Sequence, residues 1–343
     1  MVRYRKRNRD GLKMTIERKL LGTNPSGSVI DVVDVFSTAL YTGNGSSQSI
    51  TNDIDISGEG GLVTFKKRSG TGPMAWFDTE RGVGKFLGSH STGNEDTSPG
   101  GKDLTAFSSD GFSLGSSYHS DCNNSGSTYT SWTFRKAPTF FDIVTYTGNG
   151  TVGRTVAHSL EAPVGMLIVK KRSGAESWAV YHEELGGTKY ARLNISNAPS
   201  TSSAEWNNTA PTDTVFTVGS DGIVNGNGGT YVAYLFASLD GVSKTGSFTG
   251  NGTSITVDCG FSAGAAYVLI KRTDAAGDWY IWDSERGIVS GNDPYLLVNE
   301  ATYEVTDKDL LDPHNSGFIV NQVSPKNNNV SGGTYIYYAV ANP

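Results

Sequence analysis

One short sequence, an aromatic residue followed by Thr-Gly-Asn-Gly, occurs three times in this chain. The copies span residues 41–45, 146–150 and 248–252, and each is followed by the same succession of motifs. Because the copies recur with a period of about 100 residues, the chain consists of three tandem repeats. We place the repeats at 35–139, 140–240 and 241–343, after an N-terminal segment of residues 1–34.

The length of the repeat constrains the fold. Solenoid repeats of roughly 20 to 50 residues cannot bury a hydrophobic face alone, whereas about 100 residues suffice for an independent β-sandwich. The 43 glycines follow no collagen period and indicate many tight turns between short strands. We therefore expect an all-β chain of three antiparallel β-sandwich domains, of jelly-roll or concanavalin-like type, that fold independently and follow one another as beads.

Each repeat contains an apolar run that ends in a basic pair. The runs span 62–68, 166–172 and 267–272, and such continuous runs predict strands that are covered on both faces. An aromatic segment follows each run and predicts the return strand of a hairpin. A second Asn/Gly turn then leads through Thr-Tyr into a closing strand with one buried face.

The N-terminal segment differs from the repeats in charge. Residues 1–19 have a net charge of +6, whereas the rest of the chain has a net charge of −12. This pattern predicts an extended basic arm that docks on an acidic partner. Its candidate contact residues are Arg3, Arg5, Lys6, Arg7, Arg9 and Lys13. The segment lacks the apolar core of a signal peptide, and we expect neither export by that route nor membrane insertion.

Acidic residues follow the aromatic segment in two repeats. The sequences are Asp-Thr-Glu-Arg-Gly at 78–82 and Asp-Ser-Glu-Arg-Gly at 283–287, and paired carboxylates of this kind could serve a glycosidase. The second repeat replaces the first Asp and the Arg, since it has His182 and Leu185 there. We therefore favour a turn-capping, ion-paired role for these residues over catalysis.

Other residue types offer no reactive centre. The basic pairs occur in an acidic body, so edge protection or stacking of the Arg on an aromatic ring is favoured over nucleic-acid binding. The five histidines have no metal-ligand spacing, and we expect no metal and no cofactor. Cys122 and Cys259 occupy non-equivalent positions, which predicts free thiols in a protein assembled in a reducing cytoplasm.

Aromatic side chains next to Asn, Asp and Gly are the remaining candidates for binding. Rings can stack on the CH faces of sugars, and three weak sites in one chain would add to effective affinity. The candidates for contact with a glycan or another protein are Trp178, Tyr181, Trp279, Trp282, Tyr231 and Tyr335. For each residue taken singly, a place in the sandwich core is the favoured alternative.

The order of motifs resembles a repeat family found in structural proteins of tailed bacteriophages, especially marine ones. The motifs are Tyr-Thr-Gly-Asn-Gly at 146–150, Val-Lys-Lys-Arg at 169–172, Trp-Ala-Val-Tyr-His at 178–182, Ser-Asp-Gly-Phe-Ser-Leu-Gly at 109–115 and Gly-Gly-Thr-Tyr-Val-Ala-Tyr at 228–234. The resemblance covers residues 35–343. One departure is Met74, which stands where the other repeats have Trp178 and Trp279.

The resemblance implies a virion component with a tail fibre-like role and a lectin-like fold, and it brings no catalytic set. We expect a non-enzymatic tail appendage that is assembled in the host cytoplasm, docks by its arm on other virion proteins and contacts a host-surface glycan or receptor. A homo-oligomer without a coiled coil is also expected. The leading alternative is a head-decorating or neck protein, and the third is a glycan depolymerase that uses Glu80 and Glu285.

Overall fold

The computed structural model describes residues 30–321 and 328–343. Within these residues the protein is built from antiparallel β-strands, and its three helices have four residues each. The predicted all-β fold is thus confirmed. The six candidate contact residues of the basic arm lie outside the described residues. Ile30 and Val32, which we had assigned to the arm, are buried in the body of the protein.

The first repeat contains a six-stranded sheet and a three-stranded sheet. Its elements are α1 (Val32–Val35), β1 (Phe36–Thr42), β2 (Gln48–Thr51), β3 (Gly61–Lys67), β4 (Met74–Asp78), β5 (Lys85–Gly88), β6 (Asp96–Thr97), β7 (Leu104–Ser108), β8 (Gly111–Leu114) and β9 (Thr128–Arg135). The order of the large sheet is β1-β9-β3-β4-β5-β6, and that of the small sheet is β2-β8-β7. Asp31 caps α1 by accepting a hydrogen bond from the Val33 backbone N–H.

The second repeat has the same large sheet and a smaller second sheet. Its elements are β10 (Phe141–Thr147), β11 (Arg154–Ala157), β12 (Met166–Lys171), β13 (Ala179–His182), β14 (Lys189–Arg192), β15 (Ser200–Thr201), α2 (Ser203–Trp206), β16 (Val215–Val218), α3 (Gly222–Asn225) and β17 (Thr230–Phe236). The sheets have the orders β10-β17-β12-β13-β14-β15 and β11-β16.

The third repeat follows the same plan with a five-stranded large sheet. Its strands are β18 (Ser243–Thr249), β19 (Ser254–Asp258), β20 (Ala265–Arg272), β21 (Trp279–Asp283), β22 (Leu296–Leu297), β23 (Leu311–His314), β24 (Gly317–Asn321) and β25 (Thr334–Ala341). The sheets have the orders β18-β25-β20-β21-β22 and β19-β24-β23. The strand registers of the three large sheets correspond, so equivalent positions can be compared between repeats.

The central strand of each large sheet is buried on both faces, as its apolar run predicts. In β3, Val63 and Phe65 pack against Ile50 and Phe112 of the small sheet, which makes the repeat a β-sandwich. Leu62 belongs to a different cluster on the opposite face. Because successive residues of a strand point to opposite faces, one continuous apolar run serves both cores. The jelly-roll or concanavalin-like type of the sandwich stays a prediction.

The second face of each large sheet packs against the other two repeats. Phe134, Phe236 and Tyr338 come from different repeats, and their ring centroids lie 5.0 to 6.4 Å apart. One hydrophobic cluster combines residues of all three repeats, and the void between them measures about 10 Å³, the space of a single water molecule at most. The expectation of independent beads is therefore wrong, since each sandwich would expose an apolar face if it stood alone.

Candidate functional site: the junctions between repeats

The repeated Thr-Gly-Asn-Gly motif holds two turns of the same repeat together. In each copy the backbone N–H of the motif asparagine donates to the side-chain oxygen of a buried asparagine, at 2.8 to 3.0 Å. The buried residues are Asn123, Asn225 and Asn329. Their amide groups also donate to backbone carbonyls at 2.7 to 2.9 Å, so the side chains are satisfied in the interior.

The glycine before the motif asparagine is required by close packing. A Cβ atom at Gly43 would lie 2.3 Å from the Asn124 carbonyl oxygen, and Gly148 and Gly250 are equally close to backbone. Asn123, Asn225 and Asn329 are not among the residues predicted from the sequence. The sequence pattern that could have identified these asparagines is Asn-x-x-Gly, which occurs at this place in all three repeats. Its glycines, Gly126, Gly228 and Gly332, adopt positive φ.

The aromatic residue at the start of the motif stacks on the tyrosine that opens the closing strand. The centroid distances are 5.1 Å for Tyr41 and Tyr129, 5.0 Å for Tyr146 and Tyr231, and 4.8 Å for Phe248 and Tyr335. The motif therefore stabilises the fold of each repeat, and we call its hydrogen bonds to the buried asparagine and its aromatic stacking the lock of that repeat.

The central strand of each large sheet has, near its basic end, one lysine that is buried where two repeats meet. The ammonium groups of Lys66, Lys170 and Lys271 donate to carbonyl oxygens of a neighbouring repeat, at Glu300 (2.5 Å), Thr92 (3.3 Å) and Ser196 (2.8 Å) respectively. Burial lowers the pKa of each of the three lysines to about 8. The three contacts close a cycle, because repeat 2 binds repeat 1, repeat 3 binds repeat 2, and repeat 1 binds repeat 3. We name these contacts junction 1–2, junction 2–3 and junction 3–1.

Junction 1–2 contains a cluster of two arginines and two carboxylates. The Arg81 side chain is fully buried and pairs with Asp78 and, at 3.3 Å, with Glu95. Arg172 of the second repeat donates to both carboxylate oxygens of Glu95, at 2.8 Å and 3.1 Å. Burial opposes ionisation of Glu95, but hydrogen bonds from Arg172 and the charge of Arg81 outweigh it and lower its pKa.

Junction 3–1 repeats this cluster with equivalent residues. Arg286 pairs with Asp283 at 2.6 Å and with Glu304 at 3.3 Å, and Arg68 of the first repeat binds Glu304 at 2.9 Å. Asp78 and Asp283 each accept one more hydrogen bond from the adjoining repeat. The donors are the Tyr234 hydroxyl at 2.8 Å and the Trp132 indole at 3.0 Å, which occupy equivalent positions of β17 and β9.

Junction 2–3 has lost the whole cluster. The register places His182 opposite Met166, where Asp78 and Asp283 stand in the other repeats, and Leu185 replaces the arginine. The β14–β15 pairing places Pro199 where the first repeat has Glu95, and Thr273 stands where the other repeats have Arg68 and Arg172. Arg272 corresponds to Lys67 and Lys171 in the strand register and pairs with Asp274 of its own repeat at 2.8 Å. The buried His182 donates to the Tyr337 carbonyl oxygen at 3.1 Å, and burial lowers its pKa to about 4.

The acidic turns have the structural role predicted from the sequence, whereas the arginines of two basic pairs do not. Asp78 and Asp283 cap the turn and pair with arginine, as predicted, because the carboxylate accepts from the Arg81 or Arg286 backbone N–H at 2.9 Å. Glu80 pairs with Lys136 at 2.8 Å. Arg68 and Arg172 do not protect an edge or stack on a ring as expected. They form ion pairs across junctions, since a carboxylate of the next repeat lies beside each of them.

The six aromatic residues proposed as glycan or protein contacts are buried. Trp178, Tyr181, Trp279, Trp282, Tyr231 and Tyr335 are each at most 3% exposed. They are therefore not surface contacts, and the place in the core that was favoured for each residue taken singly is confirmed, with some of the rings at the junctions. The indoles of Trp178 and Trp279 donate across junctions 1–2 and 2–3, to the carbonyls of Ser91 at 3.2 Å and Arg192 at 2.9 Å.

Met74 occupies the position of these two tryptophans, because it lies opposite Lys66 as Trp279 lies opposite Lys271. At junction 3–1 the Ser89 hydroxyl supplies a hydrogen bond instead, to the Val298 carbonyl at 2.7 Å.

Cys122 and Cys259 are free, as predicted. Both are buried, and burial raises the pKa of both thiols to about 12. Among residues 30–321 and 328–343, no group of three or more His, Cys, Asp or Glu side chains is arranged to hold a metal ion. No helix in the same part of the chain is long and apolar enough to span a bilayer.

Comparison with known proteins gives a family and no named relative. No curated protein matches the sequence. The profile of one family matches residues 31–343, from the N-cap of α1 to the last residue, and thus includes all three repeats and all three junctions. The chain therefore belongs to the family described as a domain of unknown function, DUF7483.

Proposed function

We propose that this protein is a non-enzymatic structural component of a tailed-bacteriophage virion. In this proposal it is a tail appendage that docks through its basic arm on an acidic virion protein and presents its three-repeat body to the host surface. The motif resemblance supports the virion role. The observation that carries the proposal is that every repeated motif holds the body together, which leaves the arm and the outer surface for partners.

The arm can be tested separately from the body. Deletion of residues 2–13 should lower incorporation into particles and leave the melting of the body unchanged, because the body begins at Ile30. Incorporation is measured from the ratio of this protein to the major shell protein in purified particles. Normal incorporation of the deletion variant would contradict the arm's role in docking.

A second candidate, a head-decorating or neck protein, is favoured by one observation. The three repeats close a compact ring with approximate threefold symmetry, so they do not form the extended string that reaches outward from a tail. A body of this shape matches a site on a threefold axis of a shell. Particles imaged with an antibody to the third repeat separate the two candidates, since label on the tail supports the first and label on the shell supports the second.

A further inference from the structure

Every Asn-Gly bond of the chain lies at or beside a lock. The sequence contains five such bonds, one in each copy of the Thr-Gly-Asn-Gly motif and two in the second Asn/Gly turn of the second repeat. They follow Asn44, Asn149, Asn251, Asn225 and Asn227. The second repeat therefore has three of the five at one lock.

The turn of each motif copy requires both residues of this pair. Gly45, Gly150 and Gly252 have φ of 72°, 71° and 79°, in the left-handed region where a residue with a Cβ atom is strained. The Oδ1 atom of each motif asparagine accepts a hydrogen bond from the backbone N–H two residues later, at 2.8 to 2.9 Å. Neither residue of the pair is therefore free to change without strain or a lost hydrogen bond.

The same pair has a chemical reactivity of its own. When a base such as hydroxide removes the proton of the glycine N–H, the nitrogen can attack the Cγ atom of the preceding asparagine. A C–N bond forms and closes a five-membered succinimide, and the side-chain nitrogen takes up a proton and leaves as ammonia. Water then opens the ring at either carbonyl and gives aspartate or isoaspartate, without oxidation or reduction. Glycine favours the attack because it has no Cβ atom to obstruct it.

The closed lock blocks this attack. Because the peptide nitrogen is planar, Cγ must take the direction that the N–H hydrogen has in the intact peptide. In the folded protein that hydrogen points to the backbone carbonyl of the buried asparagine. The distances are 2.8 Å from Gly45 to Asn123, 2.8 Å from Gly150 to Asn225 and 3.0 Å from Gly252 to Asn329.

The two further Asn-Gly bonds of the second repeat are held in the same way. The Gly226 N–H donates to the Tyr231 hydroxyl at 2.7 Å, and the Gly228 N–H donates to the Gly148 carbonyl at 2.9 Å. Asn225 is also buried, which keeps water from its side chain. Every glycine nitrogen that could attack an asparagine thus donates its hydrogen elsewhere.

Burial does not protect the three asparagines of the motif. Asn44, Asn149 and Asn251 are exposed, so base and water reach them. The Nδ2 atoms of Asn44 and Asn251 donate to the carbonyls of Ser47 and Ser254, whereas that of Asn149 makes no hydrogen bond within residues 30–321 and 328–343. The Asn149 side chain is therefore the least restrained of the three.

We propose that the three motif asparagines are modification sites at which deamidation makes the opening of a lock irreversible, and that Asn149 reacts first. Native proteins open locally at free energies below that of global unfolding, and an open lock releases the glycine nitrogen. Isoaspartate adds one carbon to the main chain between the Asn149 and Gly150 nitrogens, so the two N–H groups no longer both reach Asn225. The proposal depends on the geometry of the lock and not on a virion role.

Deamidation of the full-length protein tests the proposal. Wild type is incubated folded and in denaturant at the same mildly alkaline pH, and peptide mapping by mass spectrometry distinguishes isoaspartate from aspartate at each asparagine. The motif asparagines should react at least about tenfold more slowly in the folded protein, because only the open fraction reacts. Equal rates would overturn the proposal. A faster reaction of Asn44 or Asn251 than of Asn149 in the folded protein would overturn the assignment of the first site.

Variants that open a single lock test whether each lock protects its own asparagine. Asn225→Ala should accelerate deamidation of Asn149 about tenfold or more and leave Asn44 and Asn251 at the wild-type rate. The matched variant Asn329→Ala should accelerate Asn251 alone. In a variant that keeps the wild-type circular dichroism spectrum, equal acceleration at all three sites would overturn the proposal. The wild-type comparison decides it without these variants if one of them fails to fold.

Hydrogen exchange of the reaction product tests irreversibility. The Gly150 amide should be protected from exchange in unmodified protein, because it donates to the Asn225 carbonyl. It should exchange at least about tenfold faster in protein that contains isoaspartate at position 149. Equal protection before and after modification would show that the lock closes again, and would overturn the proposal.

Discussion

Junctions 1–2 and 3–1 contain the same charged cluster, and junction 2–3 contains none of it. The differences at junction 2–3 are coordinated, because His182, Leu185 and Pro199 replace an aspartate, an arginine and a glutamate together. A buried charge without its partner costs several kcal/mol, so a junction that retained only the arginine would be strongly destabilised. The cluster is therefore a unit that can be kept or lost only as a whole.

The largest effect should come from breaking the cluster at one residue. Asp283→Ala leaves the buried Arg286 guanidinium without its main partner and removes the acceptor of the Trp132 indole. We expect the free energy of unfolding to fall by about 3 to 5 kcal/mol. Chemical denaturation measures the change, and Asp307→Ala, which removes an exposed pair with Lys308, should cost less than about 1 kcal/mol.

The double variant Asp283→His/Arg286→Leu checks the reason for this loss. It gives junction 3–1 two residues of junction 2–3 and leaves no arginine unpaired inside. Its unfolding free energy should therefore exceed that of Asp283→Ala. A double variant less stable than the single one would show that the cluster is not the unit we describe.

The second prediction concerns the response of the junctions to acid. The folded protein holds His182 neutral with a pKa of about 4, whereas an unfolded histidine has a pKa near 6.5. Between these values the unfolded chain binds more protons, so stability is lost as the pH falls from about 6.5 to 4. This shift corresponds to about 3 kcal/mol in total.

His182→Gln keeps a donor near the Tyr337 carbonyl but cannot titrate. The unfolding free energy of wild type should therefore decrease by about 3 kcal/mol more than that of the variant between pH 7 and 4. Denaturation curves recorded at several pH values measure the difference. Parallel pH profiles would mean that His182 does not make junction 2–3 acid-sensitive.

Much of the fold was accessible from the sequence, and the assembly of the repeats was not. The repeat boundaries, the strands and the two buried faces of 62–68 follow from periodicity, because apolar residues at successive strand positions must be covered on both sides. Periodicity does not indicate which part of the protein covers these apolar residues. The alternatives for Trp178 and Trp279 are the core of their own sandwich and a contact with a glycan or partner protein, because nothing in a single repeat indicates that another repeat packs there. The coordinated replacement at His182 and Leu185 was visible in the sequence, but its meaning depends on Glu95 and Pro199, which only the strand register aligns.

The third prediction concerns the buried asparagine of the lock, whose contribution to stability should be independent of the junctions. Asn225→Ala removes a buried amide that makes three hydrogen bonds and leaves the Asn149 N–H without its acceptor. We expect a loss of about 2 to 3 kcal/mol in unfolding free energy. Asn123→Ala and Asn329→Ala should cost about the same, because the locks lie within single repeats and do not depend on the type of junction. A loss confined to one repeat would contradict this equivalence.

The smallest effect should come from restoring part of the cluster to junction 2–3. In the other two junctions the glutamate backbone N–H also donates to the arginine carbonyl, at 3.0 Å from Glu95 to Arg172 and at 3.2 Å from Glu304 to Arg68. Proline has no N–H, and Thr273 stands where the other repeats have Arg68 and Arg172, so junction 2–3 lacks the carboxylate, its arginine and this hydrogen bond. The double variant Pro199→Glu/Thr273→Arg supplies all three, and we expect a gain of about 1 kcal/mol in unfolding free energy, since the new pair is partly exposed.

A double-mutant cycle over Pro199→Glu and Thr273→Arg measures the new pair. If the two introduced side chains bind each other, the double variant should gain about 0.5 to 1 kcal/mol more than the sum of the two single variants. Arg272 should not contribute to this coupling energy, because it pairs with Asp274 of its own repeat. An equally large gain in Pro199→Glu alone would assign the effect to the change from proline, and junction 2–3 would then differ from the others in its backbone as well as in its charges.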